Sequence, residues 1–387
     1  MYKTQVATSV NFSQVPTPCF VLEEKLLRKN LELLKYVQTQ ADCSIILALK
    51  GFSMYSTFGM VKQYLAGATA SSLNEVRLIN EFMHQKAHVY SPAYLEREFD
   101  QIMAGCSHIT FNSLTQFDKF KERVAQNPEK ISCGIRINPQ YSEVATEMYD
   151  PCVPGSRLGI TRDHLGDTLP EGIEGIHFHT LCENNADVLE RTMEAIELRF
   201  GSLLHQAKWL NMGGGHLITR DDYDVERLIK LIKRLKATYN IDITLEPGSA
   251  IGWRTGYLTA SVQDIMESQG IKVAVIDVSF AAHMPDTLEM PYKPRIHNVY
   301  SEPVAGKPTY RLGGMTCLAG DYMGDYSFDE PLEVGDTLVF DDMIHYTMVK
   351  TTTFNGVGLP SIGIWKEDNT FQLVREYGYD SFKDRLS

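Results

Sequence analysis

From residue 24 to about residue 250 the chain repeats one pattern, a short apolar run followed by a stretch with helical periodicity. The apolar runs read SIILAL, ATAS, HVYS, HITFN, CGIRIN, GIEGIHFH, KWLNM and DITLE, eight in all. Between most of them lie segments such as STFGMVKQYLAG, SLNEVRLINEFM, LTQFDKFKERVAQ and YDVERLIKLIKRLKATYN. Strand-length runs alternating with amphipathic helices predict parallel strands joined by helical crossovers. Some boundaries carry local chemistry as well: Ser72 with Glu75 forms a capping box at one helix start, and Gly67 closes the helix before it. Eight such units in roughly 230 residues is the size of a TIM-type (β/α)8 barrel, whose active sites lie at the C-terminal strand ends. An open doubly wound sheet gives the same count, because counting strands does not show closure.

Past residue 256 the period changes to alternating apolar and polar residues, as in YLTASVQDI, IKVAVIDVSF and DTLVFDDMIHYTMVK, with a turn at Val334-Gly335-Asp336. This predicts a C-terminal antiparallel β domain over residues 256–387, joined by the extended N-terminal segment 1–23 around PTPCFVLEE, with the barrel over 24–255.

The composition excludes several function classes. In 387 residues, 43% hydrophobic and 22% charged, no apolar run approaches the roughly 20 residues that cross a bilayer, and the N-terminal residues lack the pattern of a signal peptide. A cytoplasmic protein without a membrane segment is expected. Seven cysteines, an odd number with irregular spacing and no C-x-x-C pair, indicate neither a disulfide framework nor a zinc site, so no metal is expected. A net charge of -12 argues against nucleic acid and suits a cationic small molecule.

Polar and glycine residues gather at the ends of the predicted strands. Lys50 follows the first strand, His179 ends the sixth, Gly213, Gly214 and Gly215 follow the seventh, and Glu246 ends the eighth before Pro247 and Gly248. Each alone has an ordinary structural explanation, but together they mark one face of the barrel. A lysine at a strand mouth can hold pyridoxal 5'-phosphate (PLP) as a Schiff base. A glycine turn allows backbone N–H groups to approach a phosphate, and a carboxylate such as Glu246 can keep a pyridine nitrogen protonated. The imidazole of His179 could stack on the ring.

In order and spacing, LALKGF, HFHTLCE, NMGGGH, LEPGSA and GMTCLAGD resemble the motifs of the fold-type III PLP-dependent decarboxylases, the alanine-racemase-like group that includes ornithine and diaminopimelate decarboxylases. The resemblance covers nearly the whole chain. It is closer still to the carboxynorspermidine/carboxyspermidine decarboxylase branch, through ALKGF, YSPA, FNSL, SRLGI, AHMPDT, TCLAGDYMG and IHYTMVKTTTFNG. It implies a homodimer with shared active sites and a small polyamine substrate. Carried over by motif, Lys50 becomes the Schiff-base lysine and His179 the ring-stacking residue. Gly213, Gly214 and Gly215 hold the phosphate with help from Tyr346, and Glu246 pairs with the ring nitrogen. Cys317 of the partner subunit protonates the carbon left when carbon dioxide departs, and Asp321 lies near a substrate amine. Two positions depart from the group. Ser249 stands where ornithine decarboxylase has a phosphate-binding arginine, with Arg254 a candidate replacement, and Leu318 stands where an acidic residue follows the cysteine. The second departure disfavours ornithine and diaminopimelate as substrates. Another decarboxylase of the group is the alternative enzyme, and a non-catalytic PLP carrier the alternative class.

Overall fold

The computed structural model describes residues 3–5 and 7–387. It resolves into two compact units, residues 30–251 and residues 252–387 with the N-terminal segment up to Lys29. The sequence places these boundaries at 24 and 255. The difference lies in α1 (Glu24–Ala41), whose first turn belongs with the β unit, Lys366 pairing with Glu24 and Arg28 with Glu367.

The first unit is a closed parallel barrel of β2 (Ser44–Ala48), β3 (Gly67–Ala70), β4 (Ala87–Tyr90), β5 (Cys106–Phe111), β6 (Ser132–Arg136), β7 (Ile173–His177), β8 (Trp209–Asn211) and β9 (Asp242–Leu245). Closure is made where β9 pairs with β2, Thr244 opposite Ser44 and Leu245 opposite Ile45, which removes the doubly wound alternative. The crossovers include α2 (Phe58–Tyr64), α3 (Leu73–Met83), α4 (Glu96–Gly105), α5 (Leu114–Ala125), α6 (Ala186–Leu204) and α7 (Val225–Tyr239). Each buries an apolar stripe, as α3 does with Leu73, Val76, Ile79 and Met83. Ser72 caps α3 by accepting the Glu75 N–H at 3.3 Å, while the Glu75 carboxylate takes the N–H of Ser71 at 2.6 Å, one residue before the position expected of a capping box. Gly67 does not close a helix: α2 ends at Tyr64, the chain is already extended at Leu65, and Gly67 opens β3.

Two glycines shape the barrel interior. Gly134 and Gly175 lie opposite each other on β6 and β7, and Gly175 lies opposite Trp209 on β8. The Trp209 indole fills the volume that their missing side chains leave, so a Cβ would lie 2.2 Å from it at Gly134 and 2.0 Å at Gly175. Its N–H donates to Ser132 Oγ at 2.8 Å, which fixes the ring.

The second unit is an eight-stranded sheet. Its members are β1 (Cys19–Glu23), β10 (Gly256–Ser268), β11 (Ile271–Ile276), β12 (Thr309–Gly313), β13 (Tyr322–Ser327), β14 (Thr337–Asp341), β15 (Ser361–Trp365) and β16 (Phe371–Arg375). The path runs β13-β12-β11-β10-β1-β15-β16, with β14 also on β10. The sheet is mixed where the sequence suggests antiparallel: β1 runs parallel to β15, and β11 parallel to β12. Parallel neighbours need a long connection, and residues 277–308 supply one between β11 and β12. The β12–β13 hairpin carries the 314–321 loop, and β14 leads into the helical turn Tyr346–Lys350. No helix among the described residues is long and apolar enough to cross a membrane.

Gly175→Ala tests the packing of the barrel. The added methyl would meet a part-buried indole held by Ser132, and overpacking of this kind costs about 1–3 kcal/mol. The denaturation midpoint should fall accordingly, and Trp209→Leu in the same chain should recover part of the loss. An unchanged midpoint for Gly175→Ala would contradict the packing described.

Candidate active site

Lys50 leaves β2 on a tight turn, with the N–H groups of Gly51 and Phe52 both donating to Ala48 O, at 3.1 and 3.3 Å. This turn lies directly on the loop that follows β9. A Cβ on Gly51 would stand 2.7 Å from Ser249 N and 2.8 Å from Gly248 Cα, and Ala48 N donates to Pro247 O at 3.0 Å. Two glycines in contact therefore bring the lysine loop and the Glu246 loop together at one end of the barrel. The lysine is exposed, and its charge contributes to the environments of His179, Cys182 and Glu75.

His179 lies two residues past the end of β7. Its carbonyl accepts from Arg136 Nη2 at 3.0 Å, and its Nδ1 accepts the N–H of Gly214 at 2.9 Å. Burial pushes this histidine well below its usual value, and the positive charges of Arg136 and Lys50 push it further. The ring is neutral, and since Nδ1 accepts, its proton sits on Nε2. A neutral, flat imidazole held by its edge suits stacking on another ring.

Glu246 follows β9, its side chain 11% exposed. Oε1 accepts from Asn211 Nδ2 at 2.7 Å, and Oε2 lies 3.5 Å from His177 Nε2. Burial alone would raise its pKa, but the interactions with His177 and Asn211 outweigh it and hold the carboxyl at about 2. The carboxylate is thus ionised in an enclosed place. His177 is itself lowered by burial, and its ring stacks on Tyr90 with centroids 5.3 Å apart. The Arg136 guanidinium covers the Tyr90 ring at 4.6 Å.

The glycine triplet is required by packing before any ligand is considered. A Cβ would stand 2.4 Å from Phe178 O at Gly213, 2.2 Å from Glu246 O at Gly214 and 1.8 Å from Leu181 O at Gly215. Gly213 and Gly215 also have positive φ, +66° and +85°. Two of the three N–H groups are engaged within the protein, Gly213 with Asn211 and Gly214 with His179. The residues fit PLP on two observations: an enclosed carboxylate kept ionised, and a lysine carried on a loop packed directly against that carboxylate's own loop.

The structure brings Lys50, His179, Gly213, Gly214, Gly215 and Glu246 to one end of the barrel. Cys317, Asp321 and Tyr346 lie in the β unit. Cys317 is exposed, and its N–H donates to Asn355 Oδ1 at 2.6 Å. Asp321 is 4% exposed; Oδ1 accepts from Ala281 N at 3.0 Å, and Oδ2 from Thr316 N at 2.9 Å and Thr316 Oγ1 at 2.6 Å. Its carboxylate thus pins the loop that carries Cys317. Tyr346 is half-buried at the start of its helical turn, and Arg254 lies over Trp253 with its N–H on Asp342. The sequence reading missed Asn211, His177 and Arg136. The spacing held the signal: His177 and Asn211 are the last residues of β7 and β8, each two residues before His179 and Gly213.

A family model described as pyridoxal-dependent decarboxylase, C-terminal sheet domain, matches residues 52–344. The chain is 46% identical over 386 residues to carboxyaminopropylagmatine decarboxylase of Synechocystis sp., covering 100% of this chain and 99% of that one. It is 43% identical to carboxynorspermidine/carboxyspermidine decarboxylase of Campylobacter jejuni, covering 97% and 99%. Among solved structures, carboxynorspermidine decarboxylase from Campylobacter jejuni complexed with norspermidine is 42% identical, covers 96% of this chain and 100% of its own, and superposes with a TM-score of 0.89. With the family match over most of its length and two full-length relatives, the chain belongs to the pyridoxal-dependent decarboxylases of fold type III.

Proposed function

We propose that the chain removes carbon dioxide from carboxynorspermidine or carboxyspermidine, giving norspermidine or spermidine. The observation that carries this reading is the ionised, enclosed Glu246 carboxylate on a loop packed against that of Lys50. The likeness to the Campylobacter jejuni enzyme supports the choice of substrate. When bound, the cofactor supplies an electron sink for the pair of electrons left as carbon dioxide departs. Lys50 would hold it covalently, neutral His179 would lie against the ring, and Glu246 would keep a proton on the ring nitrogen. The glycine loop would receive the phosphate. Cys317 of a second copy delivers the proton to the substrate carbon. Asp321, with one oxygen taken up by Thr316 of that loop and the other by Ala281, sets the place of that thiol and offers a substrate amine only its remaining acceptor capacity.

Carboxyaminopropylagmatine is the second reading, favoured by the 46% identity to the Synechocystis protein. All three candidates carry the same amino-acid head joined through a secondary amine to a cationic tail, ending in an amine or a guanidinium. The acidic chain suits either tail. Purified protein loaded with PLP and offered each compound should release carbon dioxide, with the product amines separated to rank them. Turnover of diaminopimelate or ornithine in preference to all three would overturn the proposal.

The shared site rests on the face around Cys317, where Met315, Leu318, Tyr322 and Phe354 are exposed large hydrophobic residues that a second copy would cover. Lys50→Ala and Cys317→Ala proteins should each be inactive. Mixed, they should regain about one quarter of wild-type activity, because half the dimers are mixed and each has one intact site of two. No recovery after verified subunit exchange would place Cys317 in its own chain's site.

A further inference from the structure

Asn211 ends β8, is 3% exposed, and joins two parts of the barrel mouth through one amide. Its Oδ1 accepts the Gly213 N–H at 2.9 Å, and its Nδ2 donates to Glu246 Oε1 at 2.7 Å. The orientation of the amide follows from its partners, since a backbone N–H can only donate and an ionised carboxylate can only accept. An aspartate would keep the first contact and turn the second into a repulsion. Alanine would lose both. The glycine loop cannot adjust independently, because Gly213 has φ +66° and no room for a Cβ, and Glu246 N donates to Gly213 O at 2.6 Å. The tie continues on the far side, where Gly214 N holds His179 Nδ1.

We propose that Asn211 is a positioning residue for the reaction, setting the glycine loop and the Glu246 carboxylate in one register so that the phosphate and the ring nitrogen of the cofactor are seated together. The proposal rests on the reading of the barrel mouth as the PLP site. Asn211 touches neither end of the cofactor in this account and acts through the two groups it holds. Bonds to a charged group are worth more than bonds between neutral partners, so the Glu246 side of the tie is the stronger one.

The test compares wild type, Asn211→Ala and Asn211→Asp, each freed of cofactor and titrated with PLP by visible absorption, then assayed for turnover across pH. Both variants should bind PLP at least about 10-fold more weakly, the loss expected of one charge-assisted bond. Both should move the acidic limb of the turnover profile upward, Asn211→Ala because Glu246 loses a donor and Asn211→Asp further, by about one pH unit or more beyond the alanine variant, because two adjacent carboxylates share a proton. A residue that merely supports the fold would lower the melting temperature of both variants and leave PLP affinity and pH profile unchanged. That result overturns the proposal. Should Asn211→Asp fail to fold, combining it with Glu246→Gln restores a donor and acceptor pair, and that protein should fold and take up PLP. If it too fails to fold, the tie described here is wrong. Lack of PLP uptake by the wild type would overturn the reading of the site itself rather than the role of Asn211.

Discussion

The barrel mouth is organised around an anion that the fold must keep ionised out of water. Taking a carboxylate into an enclosed site costs several kcal/mol unless its oxygens are matched by donors. Glu246 meets that requirement through Asn211 on one oxygen and His177 near the other. Each partner is fixed in turn, Asn211 by Gly213 and His177 by stacking on Tyr90, over which Arg136 lies. Arg136 also holds the carbonyl of His179, so the groups expected to contact the cofactor share one network. Close packing of Gly51 on Gly248 then sets the Lys50 loop beside it.

Much of this was legible in the chain because the barrel writes its own period. Each strand appears as an apolar run, and the residues just beyond several of those runs are the ones that gather at the mouth. The partners of Glu246 were harder to read, since Asn211 and His177 sit inside runs that otherwise look like core. Only the two-residue spacing to Gly213 and His179 marks them. The glycine triplet has a packing reason that the sequence does not display: carbonyls of Phe178, Leu181 and Glu246 exclude a Cβ at all three positions. Gly67 misled because a glycine after a helix is ambiguous between cap and strand start. The parallel pairings in the second sheet could not be read at all, because which distant segments pair is decided by the whole sheet and not by local alternation.

In the β unit the same logic appears on a loop. A buried aspartate, Asp321, gathers three donors, and Asn355 takes the Cys317 N–H, so an exposed thiol is displayed from a braced backbone. Bracing of this kind fits a proton donor better than a mobile cysteine would. Leu318 beside it, with Met315 and Phe354, makes the surroundings apolar and exposed. Relatives more than 40% identical to this chain carry different substrate names.

The claim on which the rest depends is that the Glu246 carboxylate acts as a charge on the cofactor ring. Glu246→Gln keeps the shape and the acceptor oxygen while removing the charge, so it separates electrostatics from architecture. Turnover and PLP occupancy should be measured on the same purified preparation. Turnover should fall on the order of 100-fold, the effect of a two-unit loss in the ring nitrogen's affinity for its proton, while occupancy stays near that of the wild type. Equal loss of both would make Glu246 a structural residue and contradict the account.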